Sequence, residues 1–115
     1  MNTILSLFAA VCIALPSPAD SDFPCAGTPV YTCRVVKAYP HDPTAFTQGL
    51  LFYRGALYES TGKHGHSSLR KVDLATGKVI KIRRLPNRYF GEGIARKRNR
   101  IVLLTWQERV GFVYD

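Results

Sequence analysis

Residues 46–61, FTQGLLFYRGALYEST, and residues 90–105, FGEGIARKRNRIVLLT, are two versions of one pattern set 44 positions apart. With Phe46 laid over Phe90, Gln48 falls on Glu92, Gly49 on Gly93, Leu50 on Ile94 and Leu57 on Ile101. The match extends outward. CRVVKAYPHDPTA precedes the first copy and SSLRKVD follows it; GKVIKIRRLPNRY precedes the second and VGFVYD follows it. Internal repetition at such a period marks a chain built from one supersecondary unit used repeatedly.

Each unit holds four strand-like runs rich in Val, Ile, Leu, Tyr and Phe, separated by Gly, Pro, Asn and His-Gly turns. In the first unit they are 33–39, 48–53, 56–60 and 68–73. Ala75-Thr76-Gly77-Lys78 reads as a hairpin turn, its glycine supplying positive φ. No window shows a helical period. Four short antiparallel strands per ~40–50 residues is the spacing of a β-propeller blade. The expected fold is therefore all-β, a partial β-propeller of two blades over residues 31–115. The unit boundary falls one strand early, so each unit begins with the outer strand of the preceding blade. A propeller closes with at least ~4 blades, so the chain reads as the amino-terminal part of a longer ring.

Before the repeats, Ile4 to Leu15 is an apolar run too short to span a bilayer, and Ser17-Pro18-Ala19 offers a cleavage site. Residues 1–19 read as a signal peptide and 20–30 as a linker, which implies a secreted or periplasmic protein with no stable membrane insertion after cleavage. Cys25 and Cys33 would remain, either bridged or as two thiols.

The net charge is +8, and eleven of the sixteen Lys and Arg residues lie between positions 70 and 100. They alternate with apolar residues along strands, or sit in a turn, and aromatics are not interleaved among them. Solvated strand faces account for the pattern better than a nucleic-acid platform does.

In a propeller the innermost strand of each blade lines the central channel. FTQG and FGEG begin those strands, so Gln48 and Glu92 point toward the axis from adjacent blades. Phe46 and Phe90 share their faces by period-two alternation. Gly49, Gly91 and Gly93 would leave the mouth uncrowded. A carboxylate set among aromatics loses hydration, which disfavours its charged form and suits it to exchange protons near neutral pH. Pairing with one of the arginines is the alternative. Glu59 reads as a turn cap, with assistance in the pocket as the alternative; His64 and His66 read as a solvated loop without a third metal ligand, and His41-Asp42-Pro43 as a turn.

AYPHDPTAFTQGL, LYESTGKHGHSSLRKVDLATGKV, YFGEGIA and TWQERVGFVYD resemble the glutamine cyclotransferases of plants and bacteria, from about Tyr31 to Asp115. The resemblance implies a five-bladed propeller that cyclises amino-terminal glutamine of peptides and proteins to pyroglutamate and releases ammonia. It implies Glu92 as the catalytic carboxylate, with Phe46, Gln48, Phe90 and Trp106 lining the substrate pocket. It implies no metal or other cofactor, no nucleic-acid partner, and a monomer at full length. A catalytically inactive propeller fragment acting as a binding module is the alternative.

Overall fold

The computed structural model describes residues 12–16, 29 and 31–115. These residues form strands, turns and loops, with no helix among them. Strand β1 (Cys12–Pro16) pairs antiparallel with β2 (Tyr31–Val35). Strands β3 (Thr47–Tyr53), β4 (Ala56–Thr61), β5 (Ser68–Asp73) and β6 (Val79–Arg84) make a four-stranded antiparallel meander. Strands β7 (Gly91–Lys97), β8 (Arg100–Thr105) and β9 (Gly111–Tyr114) make a three-stranded one.

The 44-residue offset survives residue for residue in the inner pair of strands. β3 begins at Thr47 and β7 at Gly91; β4 runs Ala56–Thr61 and β8 Arg100–Thr105. Both hairpins turn in two residues, Arg54-Gly55 and Arg98-Asn99, and in each the arginine takes positive φ. The outer strand of the first sheet, β6, pairs with β5 and not with the second sheet. That is the offset between unit and blade expected from the repeat. The Asp73-to-Lys78 turn closes with Gly77 at φ 70°, and the Gly77 amide donates to the Asp73 carbonyl.

One strand differs from expectation. The run 33–39 forms strand only as Tyr31–Val35. Val35 lies opposite Cys12, where β1 begins, so the ladder ends with its partner. The signal-peptide and linker readings fall mainly on residues outside those described, as does Cys25; Cys33 is exposed on β2.

The two sheets stack with β3 against β7, the arrangement of neighbouring propeller blades at their inner strands. Between them lie Leu69, Leu85, Tyr89, Ile101 and Leu103, with Leu51, Tyr58, Ile94, Phe112 and Tyr114 around the margin. Leu103 is fully enclosed. Burying a side chain of this size contributes about 1.5–3 kcal/mol. Strand alternation directs those that lie on strands to the shared interior, and Leu85 and Tyr89 come from the connection between β6 and β7.

Glycine permits the close approach. A Cβ on Gly49 would lie 2.8 Å from the Ile94 backbone nitrogen and 2.7 Å from Ser60 Oγ. One on Gly91 would lie 2.7 Å from the Thr61 carbonyl oxygen. Gly93 meets nothing within 4 Å. The sequence suggests that all three glycines leave a mouth uncrowded; instead Gly49 and Gly91 seal the contact between sheets, and of the three only Gly93 faces free space. Gly49→Ala should therefore cost about 1–3 kcal/mol through overpacking against backbone. Gly93→Ala should change stability by less than about 0.5 kcal/mol. Urea unfolding of the two variants measures the contrast.

Candidate functional site

Both inner strands carry a β-bulge at their start, in the same register. Thr47 faces Thr61 and Gly49 faces Ser60, which leaves Gln48 as the extra residue. Gly91 faces Thr105 and Ile94 faces Leu103, so Glu92 and Gly93 share one opposing position. A bulge bends its strand and re-aims a side chain out of simple alternation. The two positions singled out in the sequence are thus the two places where the inner strands depart from regular pairing. The Glu92 carbonyl accepts a hydrogen bond from Ser60 Oγ at 2.5 Å, which ties the second bulge to the first sheet. The Glu92 residue is half-buried, and among the described residues its carboxylate has no ion-pair partner. The alternative of an arginine partner is not realised there.

The aromatics gather on Phe90. Its ring meets Phe46 edge-on at 6.1 Å, His64 at 5.6 Å and Trp106 at 5.7 Å. Edge-to-face contacts at such spacing add about 0.5–1.5 kcal/mol beyond area burial. The repeat explains the assembly. Gly62 N–H donates to the Phe46 carbonyl, and Trp106 N–H donates to the Phe90 carbonyl, 44 positions on. Gly62 is therefore the first-sheet counterpart of Trp106. A Cβ on Gly62 would lie 2.4 Å from the Phe90 ring and 3.1 Å from Gln48 Cγ. The missing side chain admits Phe90 from the second sheet and brings Gln48 beside it. Phe46, Gln48, Phe90 and Trp106 come together as one cluster. Phe46 and Trp106 remain open to solvent, at 45% and 58% exposure.

Three further groups adjoin the cluster, none of them apparent from the sequence. Lys63 Nζ sits 5.0 Å above the Phe46 ring. Glu108 Oε1 accepts from the Phe90 amide at 3.3 Å and lies 3.8 Å from His64 Nδ1, while its Oε2 is buried and has no partner among the described residues. Glu108 sits eighteen residues from Phe90, and a lone acid in a polar turn carries no sequence signal. His64 belongs to the aromatic wall. Among the described residues no cluster of three metal-ligating side chains occurs.

Glu59 is not a turn cap. It is 1% exposed in the interior of β4, and its Oε1 accepts hydrogen bonds from His41 Nε2 at 2.9 Å and Thr47 Oγ1 at 2.5 Å. Asp42 does form the expected turn, accepting from the Thr44 amide and hydroxyl, and it also binds Arg70 at 2.8 Å. The approach to β3 is thus pinned across the face of the first sheet.

A cavity of about 460 Å³ lies elsewhere, between the sheets beyond β9. Tyr53, Tyr58, Lys71, Lys81, Arg83 and Arg96 are among its lining residues. It is the gap where the first sheet has a fourth strand, β6, and the second has three described strands. Neither bulge borders it.

The whole range 4–115 matches the protein family described as glutamine cyclotransferase. A glutaminyl-peptide cyclotransferase of Arabidopsis thaliana is 51% identical over 82 residues, which is 70% of this chain and 26% of that protein. The chain thus matches about a quarter of the relative's length.

The Thr44 hydroxyl and amide, followed by the Arg70 guanidinium, hold the Asp42 carboxyl below its ordinary value of 3.8 against the opposing effect of burial. A folded value below the unfolded one stabilises the fold above the unfolded value and is lost as pH falls through the lowered one. Asp42→Asn should thus be less stable than the parent at pH 7, with the gap narrowing as pH drops below about 4. Urea midpoints across pH 2.5–7 measure it.

Proposed function

The chain belongs to the glutamine cyclotransferase family, and from that premise we propose that it carries the proton-transfer centre of a glutaminyl-peptide cyclotransferase. The substrates are peptides and proteins with amino-terminal glutamine; the products are pyroglutamyl chains and ammonia. The observation that supports this reading is the pair of in-register bulges at Gln48 and Glu92 beside the Phe46–Phe90–Trp106 cluster. Export to a secreted or periplasmic location, from the apolar run at 4–15, belongs to the same proposal.

The reaction sets the requirements. The neutral α-amine attacks its own γ-amide carbon and closes a five-membered ring. The amine must give up a proton as the C–N bond forms. The γ-nitrogen must receive one as its bond to carbon breaks, so that it leaves as ammonia. Glu92 takes the first proton and returns it to the departing nitrogen, so the carboxylate is regenerated and no other reactant is consumed. Proton transfer of this kind is worth about 10²–10⁴-fold. Among the described residues no ion pair occupies this carboxylate. The Gln48 amide donates to the oxygen that gains charge in the tetrahedral intermediate. Phe46, Phe90 and Trp106 hold the glutamine side chain folded toward its own amine, a near-attack shape that removes much of the entropic barrier.

Mass spectrometry of a Gln-initiated peptide incubated with the full-length protein carrying this chain follows the loss of ammonia. Glu92→Gln is expected to slow it at least 10²-fold. Undiminished turnover in that variant removes Glu92 from the mechanism. Trp106, the sole tryptophan of the chain, supplies a second readout. Its emission should change on adding the peptide in both the parent and Glu92→Gln, because the aromatic wall binds substrate without the carboxylate.

A further inference from the structure

The buried carboxylate of Glu59 has no part in the proton transfer just described, and the repeat makes its presence anomalous. Its counterpart in the second sheet is Leu103, 44 positions on. Glu59 faces Leu50 as Leu103 faces Ile94, which confirms the equivalence. Leu103 is 0% exposed and packs in the apolar cluster; Glu59 is 1% exposed. The same site in the same unit therefore accepts a leucine in one copy. Burying a carboxylate is costly without compensating hydrogen bonds, and exchange of a buried polar group for a well-packed apolar one is often neutral or stabilising. Stability alone gives no reason for an acid here.

What Glu59 does and leucine cannot do is hold two separate points of the chain with one oxygen. Oε1 accepts from His41 and from Thr47, the two ends of the loop that carries Phe46. His41 is nearly as enclosed, with its side chain 7% exposed. Its other ring nitrogen, Nδ1, is buried without a partner, so among the described residues the imidazole serves Glu59 alone. Thr47 immediately precedes the bulged Gln48. Phe46 is otherwise held by its carbonyl bond to Gly62 and by contacts of its exposed ring with Phe90 and Lys63.

We infer that Glu59 is a positioning residue: by clamping His41 to Thr47 it fixes the loop that presents Phe46 and Gln48 to the substrate's glutamine. Among the described residues the second sheet has no such clamp. There the corresponding start of β7 is held by other means, the Gly91 amide donating to Ser67 Oγ and the Phe90 amide to Glu108. The consequence for turnover rests on the cyclotransferase reading; the clamp itself does not.

The test therefore has two parts. In the 115-residue chain, nuclear magnetic resonance follows the Phe46–Phe90 ring contact and hydrogen exchange at the Gly62 amide. E59L, the residue that the second copy carries, is expected to keep a folded spectrum, lose the ring contact and exchange at Gly62 about tenfold faster. E59Q retains an acceptor oxygen and should keep both signals. Thr47→Val removes one arm of the clamp while leaving the buried acid in place, and should reproduce the E59L losses in part. In the full-length protein, E59L should lower kcat/KM for a Gln-initiated peptide by about 10²-fold, the scale of a misplacement of about 1 Å, with E59Q near the parent. Wild-type ring contact and Gly62 protection in both E59L and Thr47→Val would overturn the inference, as would losses in E59Q equal to those in E59L. Absence of turnover in the parent protein would instead overturn the functional reading and leave the clamp to the resonance data.

Discussion

The contact between β3 and β7 is the constraint on which the remainder depends. Two inner strands from different sheets come so close at Gly49 and Ile94 that a single methyl group would collide with backbone. Gly91 meets the Thr61 carbonyl in the same way, and the Ser60 hydroxyl reaches across to the Glu92 carbonyl. Interiors packed at crystalline density allow no slack for such additions. Because the strands touch here, the sheets diverge elsewhere, and the wedge between them fills with Leu69, Leu85, Tyr89, Ile101 and Leu103. The same contact brings the starts of β3 and β7 side by side, and with them the two bulges.

Repetition supplies the framework of the site, and departures from repetition supply its content. Phe46 and Phe90 occupy equivalent places and make equivalent backbone bonds. Identical units would carry the same side chain at 62 and 106. Glycine at the first position makes a hollow, and tryptophan at the second makes a wall; Phe90 occupies the hollow between Gln48 and Trp106. Gln48 against Glu92 is the second departure, an amide in one sheet and a carboxylate in the other at matching bulges. Glu59 against Leu103 is the third. A polar loop clamp in one sheet replaces an apolar core contact in the other. Duplicated strands thus carry different side chains on one backbone register.

Much of this is legible in the sequence, for a definite reason. Strand alternation and turn glycines are local, so the inner hairpins, the Asp73–Lys78 turn and the 44-residue register could be read directly. The aligned FTQG and FGEG marked the starts of the inner strands because glycine and an aromatic recur at fixed positions; the bulges there are a feature of the pairing that the sequence did not show. What escaped notice was non-local. Glu59 meets His41 across eighteen residues, and Glu108 meets Phe90 across the same separation. Neither acid differs in its neighbours from an ordinary surface carboxylate. The role of Gly49 was misjudged for the same reason. The sequence shows that a side chain is absent but not which atoms fill the space. The extent of β2 depends on a partner strand whose nearest paired residue, Pro16, lies fifteen residues before Tyr31, and alternation alone could not place it.

The central proposal is that Gln48 and Glu92 act on one ligand from matching bulges on adjoining inner strands. A crystal structure of the full-length protein with a slowly reacting Gln-initiated peptide tests this most directly. The account predicts the α-amine within about 2.6–3.2 Å of the Glu92 carboxylate and the glutamine side chain between Phe46, Phe90 and Trp106. A peptide seated in the basic cleft beyond β9, with Glu92 turned away to solvent, would contradict it.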